Sequence, residues 1–303
     1  MSASYRPGTE DDVRATYDVF IAAVTDLDRR RGVGDADNIW LDPAFVAPFW
    51  EQQRPLFTHL ARTAEHFWVA EQAGRVVGYA RATRHDGVRE LTDFFVRPDA
   101  QGHGIGRELL ARAFPAAGAR RRALVASADI VALTSYLKAG VVPRCPIAYV
   151  SGAPRPVAVP TDLAAEPLGP GPDALGLLRA IDRAVLGFAR DADHAFLLGA
   201  RTGVLYRRGG QPVGYGYEGG HRIGPLALLD PADVPAALAL AETAVAARGE
   251  PTVSMYLPLV NRAAVGHALA RRFRLEPDLA HWMTDEPFAD LTRYVLTSPP
   301  FFV

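Results

Sequence analysis

Three glycines at alternate positions, Gly102, Gly104 and Gly106, stand in the run F-F-V-R-P-D-A-Q-G-H-G-I-G-R-E-L-L from Phe94 to Leu110. The run reads as a strand ending at Val96, a proline at 98 that stops the pairing, and a helix that opens directly from the glycines. Backbone N–H groups at such a helix start lack partners in their own helix and lie at its positive end, a setting that holds phosphate. Side chains at the three glycine positions would obstruct a close approach. Gln101, His103 and Ile105 lie between or beside them, and His103 is expected to face solvent.

Two other phosphate-binding loops are excluded. A P-loop needs lysine followed by serine or threonine, and the chain's one lysine, Lys138, is far from any such loop. A dinucleotide fingerprint needs glycine where Arg107 stands. Cys145 is the only cysteine, which rules out an intrachain disulfide and a cysteine-based metal cluster; it reads as a small core residue.

These residues belong to a chain of 303 residues, long enough for two domains. Hydrophobic residues make up 49% and charged residues 22%, within the globular range, and the net charge of −1 offers no basic field for nucleic acid or anionic lipid. No apolar run approaches the ~18 residues of a spanning helix, and the polar, acidic opening M-S-A-S-Y-R-P-G-T-E-D-D differs from a signal peptide. A cytoplasmic protein is expected.

Periodicity supplies the elements around the loop. A short strand at Tyr5–Arg6 precedes a helix capped by Thr9 and running to about Arg30, and a second helix spans about Pro43 to Ala64. Three strands, Phe67–Glu71, Val76–Arg84 and Arg89–Val96, are joined by the hairpin signals Ala73-Gly74 and Asp86-Gly87. A helix over Gly104–Ala117, a strand at Ala123–Ala126, a helix over Asp129–Ala139 and a strand at Pro146–Val150 complete the first half. The proline-rich stretch Gly152–Gly171 reads as a linker or a loose strand.

The order then recurs. G-R-V-V-G-Y from Gly74 to Tyr79 matches G-Q-P-V-G-Y from Gly210 to Tyr215, and Asp129, Ala132 and Tyr136 share their spacing with Asn261, Ala264 and Ala268. A duplication is the favoured explanation. The second copy lacks the glycine loop, because Arg222 to Pro231 passes from strand to helix without one, and Ala268 stands where the first copy has Tyr136. The G-Y-G-Y-E-G run at 214–219 leads into another strand and is read as a hairpin.

V-R-P-D-A-Q-G-H-G-I-G resembles the motif V-x-P-x-x-(Q/R)-G-x-G-x-(G/A) of the GNAT N-acetyltransferases. D-I-V-A-L-T-S-Y-L-K-A-G from Asp129 to Gly140 is similar to that family's N-x-x-A-x-x-L-Y-x-K-x-G helix, with aspartate for asparagine at 129 and serine for leucine at 135. The resemblance covers residues 1–150 and implies a tandem GNAT protein with a degenerate C-terminal half. It would be an α/β (α+β) chain of two GNAT-like domains, 1–150 and 151–303, each a mixed, largely antiparallel sheet flanked by helices.

The resemblance also implies roles. The amides of Gln101, Gly102, His103, Gly104, Ile105 and Gly106 would bind the pyrophosphate of acetyl-CoA, and Asp129 and Tyr136 would also belong to the cofactor site. The strand edge at Phe94, Phe95 and Val96 would pair with the pantetheine arm, and an N–H near Val96 would polarise the thioester carbonyl. Tyr136 stands at the position of the family's general acid, to protonate a thiolate of pKa ~8.5. Asp93, three residues before Val96, and Glu90 are candidates for deprotonating the amine or binding it. Trp40, Phe49, Trp50 and Phe57 fall where the family places its acceptor helices, although such a stripe also suits a core.

Transfer of acetyl from acetyl-CoA to a primary amine of a small molecule is therefore expected, without a metal. A noncatalytic acyl-CoA sensor, a protein N-acetyltransferase and a scaffold are the alternatives.

Overall fold

The structure, a computed structural model, describes residues 3–157, 160–297 and 299–300; positions 158 and 159 of the expected linker lie outside them. The chain divides into two compact units. Unit 1 holds the chain to Leu124 together with Asp129–Gly140, and unit 2 holds Val125–Ala128 and the chain from Val141 onward.

In unit 1 the helix α1 (Val13–Arg30) buries Val13, Thr16, Tyr17, Val19 and Phe20, a stripe at helical spacing. The predicted cap Thr9 works one turn early, in a capping box with Asp12 that opens a 3-10 turn ahead of α1. α2 (Pro43–Thr63) is capped by Asp42, whose carboxylate accepts from the Ala44 N–H at 2.9 Å, and carries Pro43 in its first turn. Pro48 and Pro55 lie inside it, so the carbonyls of Ala44 and Glu51 lack their usual helical donors. The Tyr17 hydroxyl donates to the Val46 carbonyl at 2.9 Å and joins the two helices.

The strands β1 (Ser4–Pro7), β2 (Ala64–Gln72), β3 (Arg75–His85), β4 (Val88–Val96) and β5 (Arg121–Ser127) follow one another across the sheet in chain order. The first three pairings are antiparallel and that of β4 with β5 is parallel. Both expected turns are present, with Gly74 and Gly87 at φ 74° and 82°. α3 (Ile105–Ala113) ends before Pro115, four residues short of the expected helix, because proline disfavours helix in its predecessor. α4 (Ile130–Lys138) closes the unit.

Unit 2 repeats this order in β7 (Ala164–Leu168), α5 (Pro172–Val185), α6 (Asp191–Ala200), β8 (Thr202–Arg208), β9 (Gln211–Gly219), β10 (Arg222–Leu228), α7 (Val234–Ala247), β11 (Val253–Pro258) and α8 (Arg262–Ala270). β7 to β10 pair antiparallel in sequence and β10 pairs parallel with β11, as β4 does with β5. The aligned residues Asp129 and Asn261 both cap their helices, by accepting from the Ala132 and Ala264 N–H groups. The G-Y-G-Y-E-G run is strand β9. β7 is the loose strand allowed for in Gly152–Gly171, whereas sequence periodicity missed α6 and β12 (Arg274–Thr284).

β6 (Val142–Gly152) belongs to unit 2, where it lies between β11 and β12 and pairs antiparallel with both. The boundary expected at residue 150 falls inside this strand.

The core of unit 2 gathers Leu226, Leu228, Val234, Leu238, Met255 and Leu257 from β10, α7 and β11. Beside it, Asp182, Arg190, His194, Tyr215 and Tyr217 form a sealed polar network. The Asp182 carboxylate accepts from Arg190 Nε at 3.0 Å and from Tyr215 Oη at 2.5 Å, with His194 Nε2 at 2.8 Å. Burial opposes its charge, yet Arg190, His194 and Tyr215 hold its carboxyl below the usual range.

In unit 1, Phe57 is fully enclosed between α1 and the sheet. Phe57→Ala is expected to cost about 3 to 5 kcal/mol in urea denaturation, the loss typical of an emptied aromatic site.

Candidate active site

The site begins with a β-bulge. Arg81 of β3 faces Asp93 of β4, but the next residue, Ala82, faces Leu91, so Thr92 is an extra residue on β4. Pairing of β4 with β5 ends at the same place, with Leu91 opposite Leu124. Among the described residues, Thr92–Val96 therefore have a strand partner on the β3 side alone.

Backbone direction along this stretch is fixed by two bonds. The Arg97 N–H donates to Val77 on β3 at 2.8 Å, so by alternation Phe95 also points its polar groups toward β3, and Phe94 and Val96 point theirs to the open side. The Gln101 side chain confirms this for Val96, since its Nε2 donates to the Val96 carbonyl at 3.0 Å. The Val96 N–H and both polar groups of Phe94 are thus presented at an open strand edge.

The loop follows at once. Gly102 and Gly104 have φ of 81° and 80°, the left-handed region that glycine enters without strain. A Cβ on Gly102 would meet no atom within 4 Å, so that backbone is open to a ligand. Gly106 is glycine for another reason: a Cβ there would come within 3.1 Å of the Phe94 ring. The first bond within α3 runs from the Glu108 N–H to the Gly104 carbonyl at 3.1 Å. The amides of Ile105, Gly106 and Arg107 therefore have no carbonyl of their own helix, and they form the anion-accepting end of a nine-residue helix. Gln101, Gly102 and His103 are exposed. An acyl-CoA diphosphate fits this cradle, and a pantetheine amide fits the edge of β4.

Phe94 links loop and acid. Its ring lies against Gly106 on one side and meets the Tyr136 ring edge-on at 5.9 Å on the other. Burial and the negative charge of Asp129 push the Tyr136 phenol well above its ordinary value, so it keeps its proton. Asp129 caps α4 by accepting from Val131 and Ala132 at 3.0 and 2.9 Å, and it also receives the Arg30 guanidinium from α1. Burial acts against its charge, but the Ala132 amide and Arg30 outweigh it and hold the carboxyl below the usual range.

The two expected bases lie elsewhere. Asp93 is on the opposite face of β4 from Phe94, fully buried and paired with Arg81 at 2.9 Å. The Arg81 guanidinium is itself enclosed by Phe57, Phe67 and Tyr79, whose ring centroids are 5.0 to 5.4 Å away. A carboxylate so held has its charge committed and no open path to an amine, which argues against its role as a base. Glu90 is buried where β4 is paired on both sides, six residues from Val96 or about 20 Å along the strand. Of the expected acceptor residues, Phe57 is core, whereas Trp40, Phe49 and Trp50 are half-buried.

Sequence reasoning missed the role of Arg30, which it gave only as the end of the first helix, and the Gln101 side-chain bond. Arg30 is 99 residues from Asp129 and no local pattern reveals the pair. It also missed Phe95 and Phe20 as partners, 5.2 Å apart at 90°.

Asp93→Ala is expected to destabilise the protein by about 3 to 5 kcal/mol in urea denaturation, because it strands a buried guanidinium. The double change Arg81→Met with Asp93→Leu should recover most of that loss.

Residues 29–140 match the model of the acetyltransferase (GNAT) family. No curated protein matches the sequence. Among solved structures, a protein of Pyrococcus horikoshii aligns with a TM-score of 0.68 at 16% identity, over 96% of this chain and 92% of that one. A tandem GNAT protein from the clavulanic acid biosynthesis pathway aligns at 0.60 and 16% identity, over 94% and 99%. A GCN5-related N-acetyltransferase from Sphaerobacter thermophilus aligns at 0.54 and 16% identity, over 96% and 98%. At such identity these likenesses show the fold: nearly the whole chain shares the fold of these structures, one of them a tandem GNAT protein, and it is residues 29–140 that are similar to the GNAT acetyltransferase family.

Proposed function

We propose that unit 1 transfers an acetyl group from acetyl-CoA to a primary amine of a small molecule. The observation that carries this reading is the conjunction of an open β4 edge, a glycine loop at the start of α3, and a protonated, buried tyrosine beside Phe94.

Acetyl-CoA supplies the activated thioester. The loop amides from Gln101 to Gly106 bind its diphosphate, and the Phe94 and Val96 backbone groups align the pantetheine arm as an added strand. The Val96 N–H stabilises negative charge on the carbonyl oxygen. As the amine nitrogen bonds to the acetyl carbon and the carbon–sulfur bond breaks, the Tyr136 hydroxyl gives its proton to sulfur. The nitrogen's proton leaves to water, since Asp93 is committed to Arg81, and a proton from water restores the Tyr136 phenol. Asp129 fixes α4 and keeps the phenol protonated.

The presence of a tyrosine at 136 favours an enzyme over a sensor, which has no use for an acid. Unit 2 has no glycine loop, so one acetyl-CoA per chain is expected.

Acetyl-CoA should raise the melting temperature, because a ligand held by the native state alone adds to stability. Gly104→Asn tests the cradle: asparagine tolerates the left-handed conformation, but its side chain fills the anion's approach. A variant that folds and keeps the full shift would remove the loop from the site.

Tyr136→Phe should lower kcat about a hundred- to ten-thousand-fold, with little change in acetyl-CoA affinity or stability. The pH profile gives an independent check. A phenol with a raised pKa keeps its proton beyond pH 10, so kcat/KM should climb as the amine deprotonates and then level, with no fall near 10. Such a fall would mean that the acid titrates at the ordinary value of a phenol, whereas full activity in the variant would take the acid role from Tyr136.

A further inference from the structure

In unit 2 the strands β10 and β11 part as β4 and β5 do in unit 1. The register of β10 shifts between Ile223 and Leu226, and it pairs with β11 at Arg222, opposite Ser254. The gap beyond is filled by β13 (Tyr294–Val295), which runs antiparallel to β10 with Val295 opposite Leu226 and Tyr294 opposite Ala227. Leu296 reaches the other side, where its N–H donates to the Tyr256 carbonyl of β11 at 3.1 Å. By alternation the Val295 backbone points at β10. Residues 294–297 are fully buried, and Val295 joins the core of Leu226, Leu228, Met255 and Leu257. Among the described residues unit 1 has no counterpart of β13, and the equivalent edge at residues 92–96 is the one left open.

Two residues are fitted to the inserted strand. Asn261, aligned with Asp129, caps α8 through its oxygen and donates from Nδ2 to the Tyr294 carbonyl at 3.1 Å. Aspartate at that place could cap but has no donor to offer. Gly224, at φ 124°, lies so close that a Cβ would be 2.2 Å from the Leu296 carbonyl oxygen. The chain is also tied down ahead of the strand. The Asp290 N–H donates to the Val185 carbonyl at 2.7 Å, and the Arg293 guanidinium donates to the carbonyls of Leu229 and Ala184 at 2.6 and 2.8 Å. Main-chain pairing on both edges, with a side-chain amide holding one carbonyl, is the way a sheet takes up an extended peptide.

We propose that residues 294–296 are an intramolecular ligand: the cleft between β10 and β11 is a groove for extended peptide, and the chain's own strand fills it and bars an acyl donor from unit 2. Unit 2 is thus closed to a donor by occupation as well as by the lack of a glycine loop. The comparison with a donor rests on the acetyl-transfer reading above, whereas the filled groove stands on the pairing alone.

In the full chain, Val295→Pro removes the N–H that faces β10 and should lower the melting temperature by about 4 °C. A free peptide of residues 292–297 should restore it, and the same peptide carrying Val295→Pro should not. An unchanged melting temperature, or a loss that the wild-type peptide fails to repair, would overturn the assignment. If that variant does not fold, Asn261→Asp decides, because it keeps the α8 cap but sets an acceptor against the Tyr294 carbonyl. Trypsin should then cut after Arg293 about ten-fold faster than in the wild-type chain, and equal rates would sink the groove. Calorimetry with acetyl-CoA on the wild-type chain separates the two readings. One site per chain agrees with a barred unit 2, and two sites contradict it. No binding at all removes the donor reading and the bar with it, and the peptide and trypsin results then decide the groove by themselves.

Discussion

A strand edge left without a partner exposes a row of donors and acceptors that must be satisfied by something, and in unit 1 that requirement originates at Thr92. The extra residue bends β4 at the point where its pairing with β5 stops. Strand alternation then does the sorting. Phe94 and Val96 face Gly106 and present their backbone to the open edge, while Asp93 and Phe95 face α1 and α2. The alternation thereby separates the face of β4 that meets the glycine loop from the face that meets α1 and α2. The glycines need only continue the edge into a helix start.

The parts of the site that are local in sequence were legible. Alternating glycines before a helix announce their geometry because φ near 80° is cheap for glycine alone, and Asp129 reads as a cap because a short acceptor before an apolar run has few other uses. Gly106 was assigned to the ligand, yet packing against Phe94 explains it as well. The bulge left no signature, since Thr92 is an ordinary strand residue. Asp93 misled for a related reason: its position along β4 suits chemistry, and only the long-range contact with Arg81 shows that its charge is already taken.

Unit 2 is easier to recognise by architecture than by chemistry. Its strand order and helix caps match those of unit 1, while the positions that would bind or protonate a ligand have gone to packing. Ala268 is buried where Tyr136 would be, and Tyr215, aligned with Tyr79, joins the Asp182–Arg190–His194 network. On the strand after the shared hairpin both units bury a polar side chain, Arg81 on β3 paired with Asp93 and Tyr215 on β9 bonded to Asp182. Retaining the hairpin and caps conserves the fold without conserving a ligand.

β6 sets the order in which the chain can finish folding. It leaves α4 and then pairs with β11 and β12, strands that begin more than 100 residues later. During synthesis β6 emerges well before either partner exists, and both of its edges stay unsatisfied until nearly the whole chain is made. Pairings of such sequence separation carry a loop-closure cost before they return any stability, and they are slow to form. The sheet of unit 2 thus closes on a strand supplied by the first half, and a cut between the halves at residue 150 would divide that strand and leave β11 and β12 without their shared neighbour.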